Sequence, residues 1–328
     1  MRRREFITLL VGGAAALWPV AARAQQPMPV IGFLHPAFAA GYQQPLSAFF
    51  KGLGETGYVV GQNVTIQYRW GEGHNHRLPA MAADLVHSQV TVIAATGTPA
   101  ALAAKAATSI IPIVFESGGN PIQLGLVASL NKPGGNVTGA ASLTVEVIAA
   151  KGLELMHELI PAARVMGLLV NPTDPALAEP EEREVLSAAR RLGLEVHVLN
   201  AGTQRDFDAA FAKLVELRGA ALMIGADTLF TGHSDQLAAL SVRYAVPAAY
   251  VHREFATAGG LFAYGSDTTE SYRLVGVYTG RILKGEKPAD LPVMQSAKFN
   301  LVINLKTAKA LGLTIPPGVL AIADEVIE

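Results

Sequence analysis

The stretch VTVIAATGTPAALAAKAATSIIPIVFES, Val90 to Ser117, carries the pattern that sets the fold. An apolar run, Val90 to Ala94, leads into a small polar turn, Thr96-Gly97-Thr98. An alanine-rich helix, Pro99 to Ala107, follows, and then a second apolar run, Ile110 to Phe115. Hydrophobicity that is continuous within the runs, rather than alternating, predicts parallel strands covered on both faces. The same unit recurs outward in both directions. Upstream, Pro29 to Leu34 reads as a strand, followed by a helix ending near Gly54 to Gly57. A strand at Val64 to Tyr68 and a helix at Leu78 to His87 come next. After Asn136-Val137-Thr138-Gly139 the series restarts. It gives helix Val145 to Leu159, strand Val165 to Val170, helix Glu179 to Leu192, strand Glu195 to Leu199 and helix Asp206 to Leu217. Strand Ala220 to Ile224, helix Ser234 to Tyr244, and strands Pro247 to Tyr250 and Leu261 to Tyr264 complete it.

Two successive series of this kind predict an α/β protein of two doubly wound lobes. A single larger sheet is the alternative. The turn-rich segment Asn131 to Asn136 suits the approach to a hinge. About 60 residues remain after Tyr264, with a helix at Tyr272 to Leu283 and a short run from Phe299. That is too little for a third domain, so the tail is expected to return and complete both lobes. The expected division is lobe 1 from 25–140 plus 266–294 and lobe 2 from 141–265 plus 295–328. It requires three crossings, near 139–142, 264–267 and 293–298.

Residues 1–24 read as an export signal. Arg2, Arg3 and Arg4 precede a short apolar run, and Ala22-Arg23-Ala24 gives a small-x-small cleavage pattern ahead of Gln25. Arg3-Arg4-Glu5-Phe6-Ile7 also fits the twin-arginine form. An uncleaved membrane anchor is the competing reading, but the run falls short of the roughly 20 apolar residues a span needs. Half of the chain is apolar and 16% is charged, so a large core is within reach and disorder is not expected. Loss of a signal holding four Arg and one Glu moves the formal charge from -1 to about -4. A mildly acidic chain without Lys/Arg clusters is a poor nucleic-acid or anionic-membrane binder. There is no cysteine, which excludes disulfides, thiolate metal sites, a cysteine nucleophile and a lipid-modified cysteine tether. The mature chain is therefore expected to be periplasmic, soluble and monomeric.

Several motifs have plainer explanations. Gly52-Leu53-Gly54-Glu55-Thr56-Gly57 matches GxGxxG but closes a helix instead of opening one, so its glycines read as C-caps and no dinucleotide cofactor is expected. Gly232-His233-Ser234-Asp235-Gln236 lacks the final glycine of a hydrolase elbow, and Ser234 reads as a helix N-cap. His74-Asn75-His76 brings no third metal ligand. The strand ends carry more. Ligands of open α/β sheets bind beyond the carboxyl ends of the strands. There stand His35 and Phe38, Thr96-Gly97-Thr98, and Phe115-Glu116-Ser117 of the first series, with Asn171, Asp227, and Tyr264 with Gly265 of the second. Thr96, Gly97 and Thr98 before a helix suit a carboxylate, Asp227 suits an ammonium, and Phe38, Phe115 and Tyr264 offer apolar faces.

Three blocks then resemble a known family. These are Gly52 to Val64 (GLGETGYVVGQNV), Gly125 to Gly139 with its Pro133-Gly134-Gly135-Asn136, and Asn304 to Leu313 with the closing Ala323-Asp324-Glu325-Val326-Ile327. Together they resemble the ABC-importer substrate-binding proteins that include tryptophan/tyrosine binders. The resemblance implies a type I periplasmic-binding-protein fold, two Rossmann-like lobes joined by three crossovers. It implies a small solute held between them, expected here to be carboxylate-bearing and aromatic or branched amino-acid-like, handed to an inner-membrane permease driven by an ATPase. It also implies that Thr96-Gly97-Thr98, Phe115, Asn171, Asp227 and Tyr264 lie in or near the cleft. Asn120-Pro121 departs from the family's Asp-Pro, which puts amine recognition in doubt and leaves an aromatic or branched organic acid open. An exported hydrolase or isomerase, or a ligand-sensing partner of a membrane receptor, are the competing functions.

Overall fold

The computed structural model describes residues 28–141, 145–266, 268–295 and 299–328. The export signal and its cleavage point lie outside the described residues, and so do parts of all three expected crossings. The chain opens with β1 (Val30–His35), α1 (Gln43–Glu55), β2 (Thr65–Trp70), α2 (Leu78–His87), β3 (Val92–Thr96), α3 (Thr98–Ala107), β4 (Ile113–Ser117) and β5 (Val137–Ala141). A second series runs through α4 (Val145–Leu159), β6 (Val165–Val170), α5 (Pro175–Leu192), β7 (Glu195–Asn200), α6 (Phe207–Glu216) and β8 (Ala221–Ile224). It continues with α7 (Thr228–Thr231), α8 (Ser234–Arg243), β9 (Ala248–Tyr250), α9 (Arg253–Thr257) and β10 (Phe262–Ser266). The tail holds α10 (Thr268–Leu283), β11 (Met294–Gln295), β12 (Phe299–Asn304), α11 (Leu305–Ala310), α12 (Pro317–Ala321) and β13 (Glu325–Ile327).

Two sheets result. The first has the order β2-β1-β3-β4-β5-β11 and is parallel throughout. The second has the order β7-β6-β8-β9-β10-β12-β13, with β12 antiparallel to β10. Both are doubly wound, and the order reverses between β1 and β3 in one and between β6 and β8 in the other. Those reversals open the crevices in which such sheets bind ligands. The chain passes between sheets after β5, after β10 and after β11, so the fold is two Rossmann-like lobes joined by three crossovers.

Both faces of the central strands are buried, which is why β1, β3 and β6 are apolar at nearly every position. Phe33 packs with Phe49, Tyr272 and Val275 on one face, while its neighbour Leu34 packs with Leu85, Ile93 and Phe115 on the other. Helix α10 belongs to the first sheet, lying against α1 with Tyr272, Val275, Tyr278 and Ile282 buried. The two helices approach closely because glycines line their contact: a Cβ on Gly52 would lie 1.9 Å from the Arg273 carbonyl oxygen. Gly52 is thus a packing residue, whereas Gly57, at φ +88°, follows the helix end as a C-cap glycine should.

The structure corrects several sequence boundaries. Strand β3 runs to Thr96 and β4 to Ser117, two residues beyond the expected ends, in the register Thr96↔Glu116. The sequence marks β5 (Val137–Ala141) only as turn and restart. Its VTGAA sequence is weak in strand formers, yet a Cβ at Gly139 would lie 2.1 Å from the Phe115 carbonyl oxygen, so the pairing itself demands glycine. Ser234 is the first residue of α8, not its cap. His233 holds the cap position, and the Ser234 hydroxyl donates to the Thr231 carbonyl at 2.9 Å.

Candidate functional site

The C-terminal ends of the two sheets face one another across a cavity. Lobe 1 contributes Tyr42, Gln44, Gly97, Thr98, Glu116 and Tyr272; the facing wall includes Ile148, Leu177, Asp227, Thr228, Thr231, His252 and Glu254. The lobes touch at the cavity edge through small groups. A Cβ on Gly41 would lie 2.9 Å from the Cα of Gly232, one on Gly119 would lie 3.3 Å from Leu177, and one on Gly97 would lie 3.3 Å from Thr228. The Tyr42 hydroxyl reaches the Thr228 carbonyl at 3.5 Å. The lobes are thus in contact along this edge.

Beneath the lobe 1 wall, buried His35 holds Tyr272. The Ala37 N–H donates to Nδ1 of His35 at 3.0 Å, so the ring proton sits on Nε2, 3.0 Å from the Tyr272 hydroxyl oxygen. Burial lowers the His35 pKa to about 3, which keeps the ring neutral. On the opposite wall Asp227 ends the loop after β8. Its Oδ1 accepts from the Leu229 N–H at 2.7 Å and from the Asn171 side-chain amide at 3.0 Å. Its Oδ2 is buried and has no hydrogen-bond partner among the described residues. Tyr250 donates to the Asp227 carbonyl at 2.8 Å, which fixes the loop from below.

Carboxyl groups dominate the electrostatics. Burial pushes Asp227 up to about 6 and Glu116 up to about 7. Asp174, behind Asp227, rises to about 7 through burial and the neighbouring Asp227 charge. Each group holds its proton more tightly in the folded state than in the unfolded chain. Their contribution to stability is therefore complete below the unfolded values near pH 4 and is lost as pH rises through 6 to 7. His35, and His252, which burial also lowers, oppose this over the range below about 6.5, but they are fewer. The melting temperature of the ligand-free protein should fall between pH 5.5 and 7.5, and Glu116→Gln or Asp174→Asn should flatten the decline. Scanning calorimetry across that range checks this, and an unchanged slope in both variants would refute it.

The sequence-derived residues divide into three groups. Gly97, Thr98 and Asp227 line the cavity, whereas Phe38 does not: it is exposed and stands edge-on to His233 at 6.1 Å. His35, Thr96 and Asn171 lie behind the lining: His35 supports Tyr272, and Asn171 supports Asp227. Phe115 and Tyr264 do not line it. Because β4 extends to Ser117, the Phe115 ring points into the core with Leu34 and Leu126, and Glu116 takes the place at the cavity. Tyr264 lies within β10 and stacks on Phe299 at 5.8 Å. Asn120 is not in the cavity either. Its Oδ1 accepts from the Ile122 and Gln123 N–H groups at 3.0 and 3.3 Å, so the departure from Asp-Pro costs the cavity no carboxylate. Sequence reading missed Tyr42 and Tyr272, and placed Glu116 at the strand end without giving it a role. Tyr42 sits in a short 3-10 turn before α1 and Tyr272 at the start of a helix that begins four residues earlier than expected. Among the described residues no group of three or more His, Cys, Asp or Glu side chains could hold a metal ion.

A sequence model described as ABC transporter substrate binding protein matches residues 33–327, nearly the whole of the described chain. The chain belongs to the ABC transporter substrate-binding protein family. Members of this family bind solutes and are not enzymes, and the partners they imply are a small molecule and a transporter. A tyrosine-binding protein of Clostridioides difficile (strain R20291) is 27% identical over 266 residues, covering 81% of this chain and 75% of that protein. The structure of an ABC domain from Streptococcus pneumoniae in complex with L-Trp superposes with a TM-score of 0.82 at 27% identity, covering 91% of this chain and 99% of that one. A ligand-free, open substrate-binding protein with adhesive properties from Clostridium difficile gives a TM-score of 0.63 at 24% identity with the same coverage. No helix of this substrate-binding protein is long and apolar enough to cross a membrane among the described residues.

Proposed function

We propose that the protein is the solute-binding component of an ABC importer. It captures an amine-bearing solute of amino-acid size, with an apolar or aromatic body, in the cleft between the sheets. The observation that carries this reading is Asp227, a residue of the cavity lining whose buried Oδ2 lacks a partner among the described residues. A buried carboxylate oxygen without a donor is costly, and a solute ammonium would supply the missing bond. Tyr42 and Tyr272 supply aromatic faces on which a ring or a cation can rest. The relatives that bind tyrosine and L-Trp support a solute of this size.

Closure is the functional event, since a ligand shifts a two-lobed protein only through its different affinities for the open and closed forms. The lobe arrangement lies nearer the L-Trp complex than the open relative, which supports reading it as the closed form. The hinge segments are proposed at 139–142, 264–267 and 293–298. A permease and its ATPase are the proposed partners, with a monomeric binding protein released to the periplasm by the twin-arginine route. A thermal-shift screen of amino acids, amines and aromatic acids should find the solute, because binding at 100 times the dissociation constant adds about 2.7 kcal/mol to the folded state. Small-angle scattering with that solute should then show compaction relative to the ligand-free protein. An unchanged radius of gyration, in a ligand-free protein already open enough to admit solute, would argue against hinge closure.

A further inference from the structure

We infer that Gly41 sets the affinity of the cleft without holding the solute, because its bare backbone is what lets the two lobes shut. This rests on the reading of the cleft as a site that closes on its solute, and deepens it. One short segment of each lobe makes the contact. On lobe 1 it is Phe38 to Tyr42, the loop after β1 and its 3-10 turn; on lobe 2 it is Thr228 to His233, α7 and the residues after it. Phe38 meets His233 edge-on, Gly41 meets Gly232, and the Tyr42 hydroxyl donates to the Thr228 carbonyl at 3.5 Å. A Cβ on Gly41 would lie 2.9 Å from the Gly232 Cα and 3.4 Å from the Gly232 carbonyl oxygen. Its three nearest atoms all belong to Gly232, and all are backbone, so no rotamer change relieves the clash.

The lobe 2 segment is braced and cannot give way locally. The Gly232 N–H donates to the Thr228 carbonyl at 3.0 Å, and the Thr231 and Tyr250 hydroxyls donate to the Asp227 carbonyl at 3.0 and 2.8 Å. The same segment leads straight from Asp227, whose Oδ1 caps α7 through the Leu229 N–H. A solute held at Asp227 therefore sits at one end of α7, and Gly41 lands on the other. Alanine at 41 suits the backbone there, which is not at positive φ, and parting the lobes carries Gly232 away from it. The open form is spared and only the closed form is penalised. Measured affinity includes the cost of reaching the closed form, so binding weakens although no solute contact is lost.

The probe is whichever of L-tyrosine, L-tryptophan and L-phenylalanine binds the wild type most tightly in calorimetry. Gly41→Ala should bind it about tenfold or more weakly, and stopped-flow kinetics should place the loss in faster dissociation. Gly232→Ala should bind nearly as the wild type does, since its Cβ would find ordinary contacts at 3.4 Å from the Thr228 carbonyl oxygen and 3.9 Å from the Ala37 Cβ. Without solute, both variants should unfold at the wild-type temperature. Gly41 also borders the cavity, so small-angle scattering separates a lobe clash from a solute clash. Saturated with the probe, Gly41→Ala should keep a larger radius of gyration than the saturated wild type. Wild-type affinity in Gly41→Ala, or weakened binding with full compaction, would overturn this inference and leave the cleft reading standing. A wild type that binds none of the three amino acids would overturn both.

Discussion

Gly276→Ala should lower the melting temperature by several degrees, while Gly54→Ala, on the same pair of helices, should raise it slightly. A Cβ on Gly276 would sit 2.1 Å from the Phe49 carbonyl oxygen and 2.8 Å from the Leu53 nitrogen. Both are backbone atoms of α1, so no rotamer change can relieve the clash, and the helices must separate. Overpacking of this kind costs about 1–3 kcal/mol, and more where backbone has to move. At roughly 2–4 °C per kcal/mol for a chain of this order, the loss is easily read by calorimetry. Gly54 lies in the same helix with nothing within 4 Å of its would-be Cβ. There alanine gains up to about 1 kcal/mol of helix propensity with no steric penalty. Because α10 carries Tyr272, Gly276→Ala should also weaken solute binding, which Gly54→Ala should leave alone. Equal melting temperatures for the two variants would mean that the helices do not meet at these glycines.

The reading of the sequence succeeded where burial is symmetric. Strands such as β1 and β6 are apolar at nearly every position because cores lie on both faces, and this signal does not depend on register. It failed where a side-chain signal is absent or misplaced by two residues. Gly139 removes the apolar mark from β5 because the neighbouring strand backbone leaves no space. The ends of β3 and β4 are set by pairing across the sheet, which no local pattern reports. Because β4 continues through Glu116, that residue and Phe115 point to opposite faces, so Phe115 enters the core and Glu116 lines the cleft, which changes the cleft's chemistry there from apolar to acidic. Asp227 was legible because it follows a strand, β8, beside the point where strand order reverses. Tyr272 was not, because a helix from the tail of the chain delivers it to a site built by the first lobe.

Asp227→Asn should lower affinity for an amine-bearing solute ten- to hundredfold while leaving the ligand-free protein at least as stable at pH 8. The asparagine carbonyl oxygen can keep the two bonds of Oδ1, from the Leu229 N–H and the Asn171 amide, so the helix cap and the loop should survive. What changes is the free position, where a carboxylate oxygen becomes an amide NH₂ facing the solute. An ammonium then meets a donor in place of an acceptor and loses a charge-assisted bond, a change of about 1–3 kcal/mol. Stability moves in the opposite direction. Burial raises the Asp227 pKa from 3.8 to about 6, so its favourable contribution is complete below the unfolded value and gone once pH passes the folded one. At pH 8 the wild type therefore bears the cost of a buried ionised carboxylate that the amide does not, whereas at pH 5 that difference largely vanishes. A side chain that weakens the empty protein and strengthens the occupied one is what a binding site requires and a purely structural residue does not. Calorimetric titration and thermal unfolding at both pH values separate the cases. Loss of stability at pH 8 with wild-type affinity would assign Asp227 to the scaffold and empty the cleft of its recognition group.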